Sequence, residues 1–384
     1  MLNLNENKSF CILPFVHLHV NEKNDIKLCC LADGEVVGKY TKDFDFKNDP
    51  AMQEIRSKIL AGERIPHCKE CYNYEDRGAD SSRLRDTAEW VRKLSIEKVE
   101  DVPTELMYYD IRNDNLCNLS CRMCNPQFSS QLAKEYKMLG WIWTPEPKSF
   151  SFSEVVDLDT CKKIYVAGGE PSLMPEFRTF LKKAIDAGKT DIEIRMNTNA
   201  TNLNKEYRDM LSQFSGLNIV CSIDGFDQIN RYIRWPADWD TIVENVHGLR
   251  AITPNVAFNV TVSIWNIANL SKLVFFLEKE FPGGLILLNR VFHPPMQMFH
   301  TFPNKALALA DLELLKQSNH YAQDDSFRGK VDYFIAELTE APLNLPALEE
   351  FFDYNDTLDE SRGVELKDFI PELDACRAYL TKQT

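Results

Sequence analysis

Cys117, Cys121 and Cys124 fall in a C-x3-C-x2-C spacing, read as CNLSCRMC. Three thiols on one short loop can grip one face of a cubane iron–sulfur cluster. A [4Fe–4S] cluster normally takes four thiolates, so a triplet leaves one iron open, much as an unfilled coordination position marks a catalytic zinc. The ferredoxin run differs, because it brings all its thiols together. A zinc site completed by a distant residue, or a set of ordinary buried cysteines, would use the same residues.

A second group lies near the N-terminus: Cys11, the pair Cys29-Cys30, and Cys68-x2-Cys71 within HCKEC. Zinc and iron–sulfur clusters use such a knuckle equally. His17 and His19 share one face of a strand with no third ligand beside them, so they read as a packed pair, and His67 reads as a neighbour of Cys68. Cys161, Cys221 and Cys376 have no partner pattern and read as small hydrophobes. Eleven cysteines would suit disulfides in an exported protein. The opening MLNLNENKSF, however, has neither the basic nor the apolar region of a signal peptide. Thiols at metal-ligand spacings therefore point to metal in a reducing, cytoplasmic setting. Lys plus Arg number 44 against 58 Asp plus Glu, a net charge of −14, which argues against broad nucleic-acid binding. No apolar run approaches a membrane span.

The elements that must position these groups can be read from periodicity. FVHLHVNEKNDIKLCC reads as two short strands around a turn, 51–60 as a helix, and 80–98 as a charged helical linker. From 104 onward, β-like runs alternate with helical ones, the pattern of a parallel α/β sheet or barrel. Strands are expected at 105–112, 163–168, 191–199, 217–225, 256–264 and 284–292. Helices are expected around Leu132, Tyr136 and Leu139, over PEFRTFLKKAID, and from about 238. Residues 140–158 read as an insertion. The last 80 or so residues contain helical stretches at 305–317 and 328–339 and an acidic, proline-punctuated end.

In α/β barrels the reactive strand ends are the C-terminal ones, and unusual residues recur there. Gly168-Gly169-Glu170-Pro171 offers close backbone approach and a carboxylate for an ammonium. Asn197-Thr198-Asn199 and Ser222-Ile223-Asp224 offer polar groups suited to a ribose. Arg234, with Arg231 competing, offers a planar fork for a carboxylate. Arg290-Val291-Phe292-His293 supplies backbone beside an aromatic ring, with His293 free to face substrate.

Taken together, CNLSCRMC after the first strand and GGEP after the second resemble the signature of the radical S-adenosylmethionine (radical SAM) superfamily. The resemblance implies an α/β fold, a partial (β/α)6 TIM-type barrel. Cys117, Cys121 and Cys124 would hold a [4Fe–4S] cluster that chelates S-adenosylmethionine. Met123 and Val291 would lie at its adenine and Gly168–Pro171 at its amino group. Asn197, Thr198, Ser222 and Asp224 would line the ribose, and Arg234 the carboxylate. The N-terminal cysteines resemble a twitch/SPASM module, with Asn24 standing where that motif has glycine. The module implies one auxiliary [4Fe–4S] cluster on Cys11, Cys29, Cys68 and Cys71, with Cys30 as substitute. The implied division is 1–100 auxiliary module and linker helix, 101–300 barrel, and 301–384 helical extension. The implied activity is reductive cleavage of S-adenosylmethionine and hydrogen abstraction, with flavodoxin or ferredoxin as electron donor. A small or sugar-like substrate is expected, with a ribosomal peptide or protein as the alternative. A non-catalytic electron carrier or a zinc-stapled module is the remote one.

Overall fold

The computed structural model describes residues 7–21, 23–32, 36–76, 80–112, 114–142 and 155–381. Most of the insertion expected over 140–158 lies outside them. The chain divides into two compact units: 1–115 with 144–196 and 209–217, and 116–143 with 197–208 and 218–384.

In the first unit β1 (His17–Val20), β2 (Asp25–Lys27) and β3 (Gly38–Lys39) precede β4 (Tyr108–Ile111), β5 (Lys163–Val166) and β6 (Glu193–Thr198). β6 ends in the second unit. The β1–β2 hairpin is antiparallel, pairing His19 with Lys27. Its turn puts Asn24 at φ +59°, a left-handed conformation that Asn tolerates better than other side chains. The Asn21 side chain closes the turn by accepting from the Lys23 and Asp25 N–H groups. β1 then lies parallel to β4, β4 to β5 and β5 to β6. The hairpin thus extends the same sheet, and its core of Phe10, Ile12, Phe15 and Trp90 is continuous with Met107 and Tyr108.

Period-two alternation gives the strands two unlike faces. One carries Leu18, Val20, Tyr109, Ile111, Ile164, Val166, Ile194 and Met196, all buried. The other carries a charged layer. His19 Nδ1 lies 2.9 Å from Asp110, Arg112 also pairs with Asp110, and Lys163 meets Glu89 and Glu193. Burial pushes the Asp110 carboxyl up, yet His19 and Arg112 hold it well below the usual carboxylate range. The expected helix Pro175–Asp186 forms behind Pro175 and buries Phe177, Phe180, Leu181 and Ala184.

The second unit holds the parallel strands β7 (Leu217–Ser222), β8 (Val256–Val262) and β9 (Ile286–Arg290). Trp239–Arg250 and Leu270–Glu280 follow β7 and β8 as helices. The helices Lys305–Leu315 and Asp325–Glu340 fall where periodicity placed them. The acidic end does not stay irregular: Leu345–Arg362 is an 18-residue helix. Asn344 caps it by accepting from the Ala347 N–H, Pro346 sits in its first turn, and Gly363 ends it at φ +63°. These are the usual start and stop residues of a helix. Its buried stripe is Leu348, Phe351, Phe352, Asn355, Leu358 and Asp359. Burying each of the large apolar members contributes roughly 1.5–3 kcal/mol. No helix among the described residues is long and apolar enough to cross a membrane.

Candidate functional site

The cysteine loop is shaped by groups far away in sequence. Ser129 caps the helix Ser130–Met138 through the Leu132 N–H and donates its own hydroxyl to the Leu119 carbonyl at 2.6 Å. Ser130 Oγ accepts from the Cys117 N–H and donates to the Cys117 carbonyl, both at 3.2 Å. Arg122, between the second and third thiols, is fully buried. Its guanidinium lies 3.6 Å from the Tyr232 ring centre. It donates to the Tyr232 carbonyl (2.9 Å) and to Asn355 Oδ1 (3.0 Å), and it ion-pairs with Asp359. The Arg122 carbonyl accepts from the Tyr354 hydroxyl at 2.7 Å, and the Ser120 carbonyl from Arg362 at 2.8 Å. The helix Leu345–Arg362 therefore holds the loop at two carbonyls and one buried cation. Sequence reasoning missed Arg122, Tyr354, Asn355, Asp359 and Arg362. The only available signal was a cation wedged between cysteines.

Several expected cofactor residues of the second unit surround this loop. Asp224 is fully buried and pairs with Arg234 Nε at 2.6 Å. The same carboxylate accepts from the Thr261 N–H at 2.7 Å. Burial pushes the Cys121 thiol up against the pull of Arg234, and burial likewise raises Cys124. Arg234 thus lies beside the thiols, held by Asp224. Arg231 is exposed and sits 5.6 Å from the Trp235 ring centre. Thr198 is buried, whereas Met123, Asn197, Ser222 and Val291 are partly exposed. Asn199 turns to the loop itself, its amide 3.0 Å from Asn118 Oδ1 and 3.9 Å from Cys117 Sγ. His293 is exposed, and Cys221 is buried within β7.

GGEP belongs to the first unit. Gly168 has φ +120°, and a Cβ there would meet the Asp114 carbonyl at 2.8 Å. Only glycine fits this approach. Gly169 N–H donates to the same carbonyl at 3.0 Å. Glu170 is buried and accepts from the Ser172 N–H and hydroxyl. Pro171 follows as the first residue of a short 3-10 turn.

In the first unit Cys11, Cys29, Cys68 and Cys71 line one small pocket, with His67 and Arg83 beside them. Cys30 is not among the lining residues; its charged neighbours are Asp110, Arg112 and Asp86. Burial raises all four lining thiols, Cys68 to about 11. Each also faces a donor that favours the thiolate: the N–H of Leu13, Leu31 and Arg83 for Cys11, Cys29 and Cys71, and the Tyr72 hydroxyl for Cys68. Among the described residues no three His, Cys, Asp or Glu stand at the spacing of ligands to one metal ion. Thiolates of a cubane sit on separate irons and stand farther apart. Both groups consist of thiols, the donor type that a [4Fe–4S] cluster takes.

A family model described as the radical SAM superfamily matches residues 115–277. That stretch is similar to the radical SAM superfamily. That family implies a [4Fe–4S] cluster and S-adenosylmethionine. No curated protein matches the chain. Among solved structures, anSMEcpe with bound AdoMet is 17% identical over 52% of this chain and 59% of its own, with a TM-score of 0.38. Streptococcus suis SuiB bound to precursor peptide SuiA is 13% identical over 77% and 61%, with a TM-score of 0.35. SuiB bound to S-adenosylmethionine is 14% identical over 80% and 54%, with a TM-score of 0.38. The chain thus spans 54 to 61% of the length of these structures.

Proposed function

We propose that the chain is a hydrogen-abstracting radical SAM enzyme of the partial (β/α)6 barrel class. The observation that carries this reading is the CNLSCRMC loop, its three thiols partly exposed, with the largely buried Asp224–Arg234 pair beside them. Cys117, Cys121 and Cys124 would hold three irons of the cluster. Asp224 fixes Arg234 for the cofactor's carboxylate, and Glu170 would receive its ammonium. Asn197, Thr198 and Ser222 would line the ribose, and Met123 and Val291 the adenine. When bound, the cluster and cofactor would supply one-electron reduction of the sulfonium and, from it, hydrogen-atom abstraction from substrate. The protein's part is orientation and exclusion of water.

Residues 1–100 would form the auxiliary module, with Cys11, Cys29, Cys68 and Cys71 as its four ligands. A cluster with all four positions filled suits an electron acceptor better than a substrate ligand. Residues 301–384 would be a helical extension that braces the loop. Flavodoxin or ferredoxin would deliver the electron, in the cytoplasm. For substrate, a peptide or protein side chain stands ahead of the small or sugar-like molecule. SuiB is described with its precursor peptide and anSMEcpe with the Cp18Cys peptide, which sets the order of testing and no more.

The test is anaerobic reconstitution with iron and sulfide, followed by dithionite and S-adenosylmethionine, with 5′-deoxyadenosine as readout. Formation by the wild type and loss in Cys117→Ala supports the reading. Iron-loaded wild type that stays silent, even with peptide and small-molecule fractions of cell extract added, overturns it.

A further inference from the structure

Asn199 was expected to meet a ribose, but its geometry suits another task. Three side chains close a ring. Asn199 Nδ2 donates to Asn118 Oδ1 (3.0 Å), Asn118 Nδ2 to Thr201 Oγ1 (2.8 Å), and Thr201 Oγ1 to Asn199 Oδ1 (2.7 Å). The Thr201 N–H also donates to Asn199 Oδ1 at 2.9 Å. That N–H needs an oxygen to receive it, so the ring runs in one direction, which fixes which end of each amide is nitrogen. The turn that allows it is unusual. Ala200 has φ +58° and is fully buried, a conformation non-glycine residues hold only when their surroundings impose it. Thr198 Oγ1 accepts from the Ala200 N–H, and Asn245 donates to the Ala200 carbonyl at 2.8 Å. The Asn199 amide, itself 7% exposed, thereby brings its nitrogen within 3.9 Å of Cys117 Sγ.

We propose that Asn199 is a positioning residue that donates an N–H···S hydrogen bond to the Cys117 thiolate and so raises the reduction potential of the cluster it ligates. This rests on the cluster reading above. Reduction adds negative charge to the cluster and its sulfurs, and a donor aimed at a ligand sulfur stabilises the reduced form; hydrogen bonds to the sulfurs are among the levers that set such potentials. The Ala200 turn and the Thr201 hydroxyl hold the donor in place before any metal arrives. The neighbouring Asn118 is locked into the loop by the same ring, so aim and loop shape are set together.

The test is an EPR-monitored redox titration of the reconstituted full chain, following the signal that changes when S-adenosylmethionine is added. That response separates this cluster from the auxiliary one. In Asn199→Ala the midpoint should move to more negative potential, and in Asn199→Asp further still. At the potential where wild type is half reduced, the ratio of reduced to oxidised cluster should fall by up to about tenfold, ~59 mV for a one-electron couple. A merely structural role would lower iron content and leave the midpoint of the loaded fraction where it was, which overturns the proposal. If Asn199→Ala does not load iron, Thr201→Val carries the test by releasing the amide from its fixed orientation. A negative shift then supports the proposal, and an unchanged midpoint overturns it. Absence of any cofactor-responsive signal in wild type would instead sink the cluster reading itself.

Discussion

Removing the Asp359 carboxylate should damage the second unit far more than removing the whole ion pair. Arg122 is fully buried, and Asp359 is 6% exposed. Burial pushes the Arg122 guanidinium down from its usual value despite Tyr232 and Asp359, and pushes the Asp359 carboxyl up despite Arg122. The attraction between the two thus falls short of the cost of taking both from water, the common state of a buried ion pair. Asp359→Leu leaves the guanidinium charged and enclosed and takes away the acceptor of the Tyr232 hydroxyl, bonded at 2.9 Å. Breaking a buried pair in this way costs about 3–5 kcal/mol, or roughly a 10 °C fall in the melting transition of a unit this size. Arg122→Met with Asp359→Leu removes both charges and should cost less than Asp359→Leu alone. Calorimetry of the metal-free chain gives the stabilities, and iron content after reconstitution reports the loop. Asp359→Leu should lose the loop's iron and keep that of the N-terminal group. An Asp359→Leu variant within about 1 kcal/mol of wild type, or a double variant as unstable as the sum of the singles, would refute the reasoning.

Two further outcomes follow from the first unit. Cys68→Ala should lose about four irons per reconstituted chain while Cys30→Ala loses none, because one thiol lines the shared cavity and the other does not; equal iron in the two variants would remove the ligand assignment. His17 carries an acid-sensitive contribution. Burial lowers it to about 4, against the opposing pull of Asp110, and its ring meets the Leu28 carbonyl at 3.1 Å. The unfolded chain therefore binds this proton first, so stability is complete above pH 6.5 and is lost as pH falls towards 4, by ~3 kcal/mol in all. In urea titrations across that window His17→Gln should flatten the slope, and an unchanged slope would exclude His17 as its source.

What the sequence made legible was whatever depends on near neighbours. The strands, the helix over PEFRTFLKKAID and the Asn24 turn each follow from periodicity or one residue's conformational preference, and the structure carries all of them. The cysteine spacings were visible for the same reason. The sorting of Cys29 from Cys30 was not, because adjacent residues with equal chemistry are separated only by the way the backbone turns. Long-range contacts were the other blind spot. Nothing in CNLSCRMC says that its arginine needs a carboxylate from a helix more than two hundred residues later. Leu345–Arg362 escaped notice because its acidic density and prolines mask its period. Yet once its stripe is drawn through Leu348, Phe351 and Phe352, the next core positions are Asn355 and Asp359. A polar residue at a core position demands a partner, and the partner it demands here is the buried cation of the cysteine loop. The C-terminal region therefore has a role that its composition hid, as the far wall against which the loop is set.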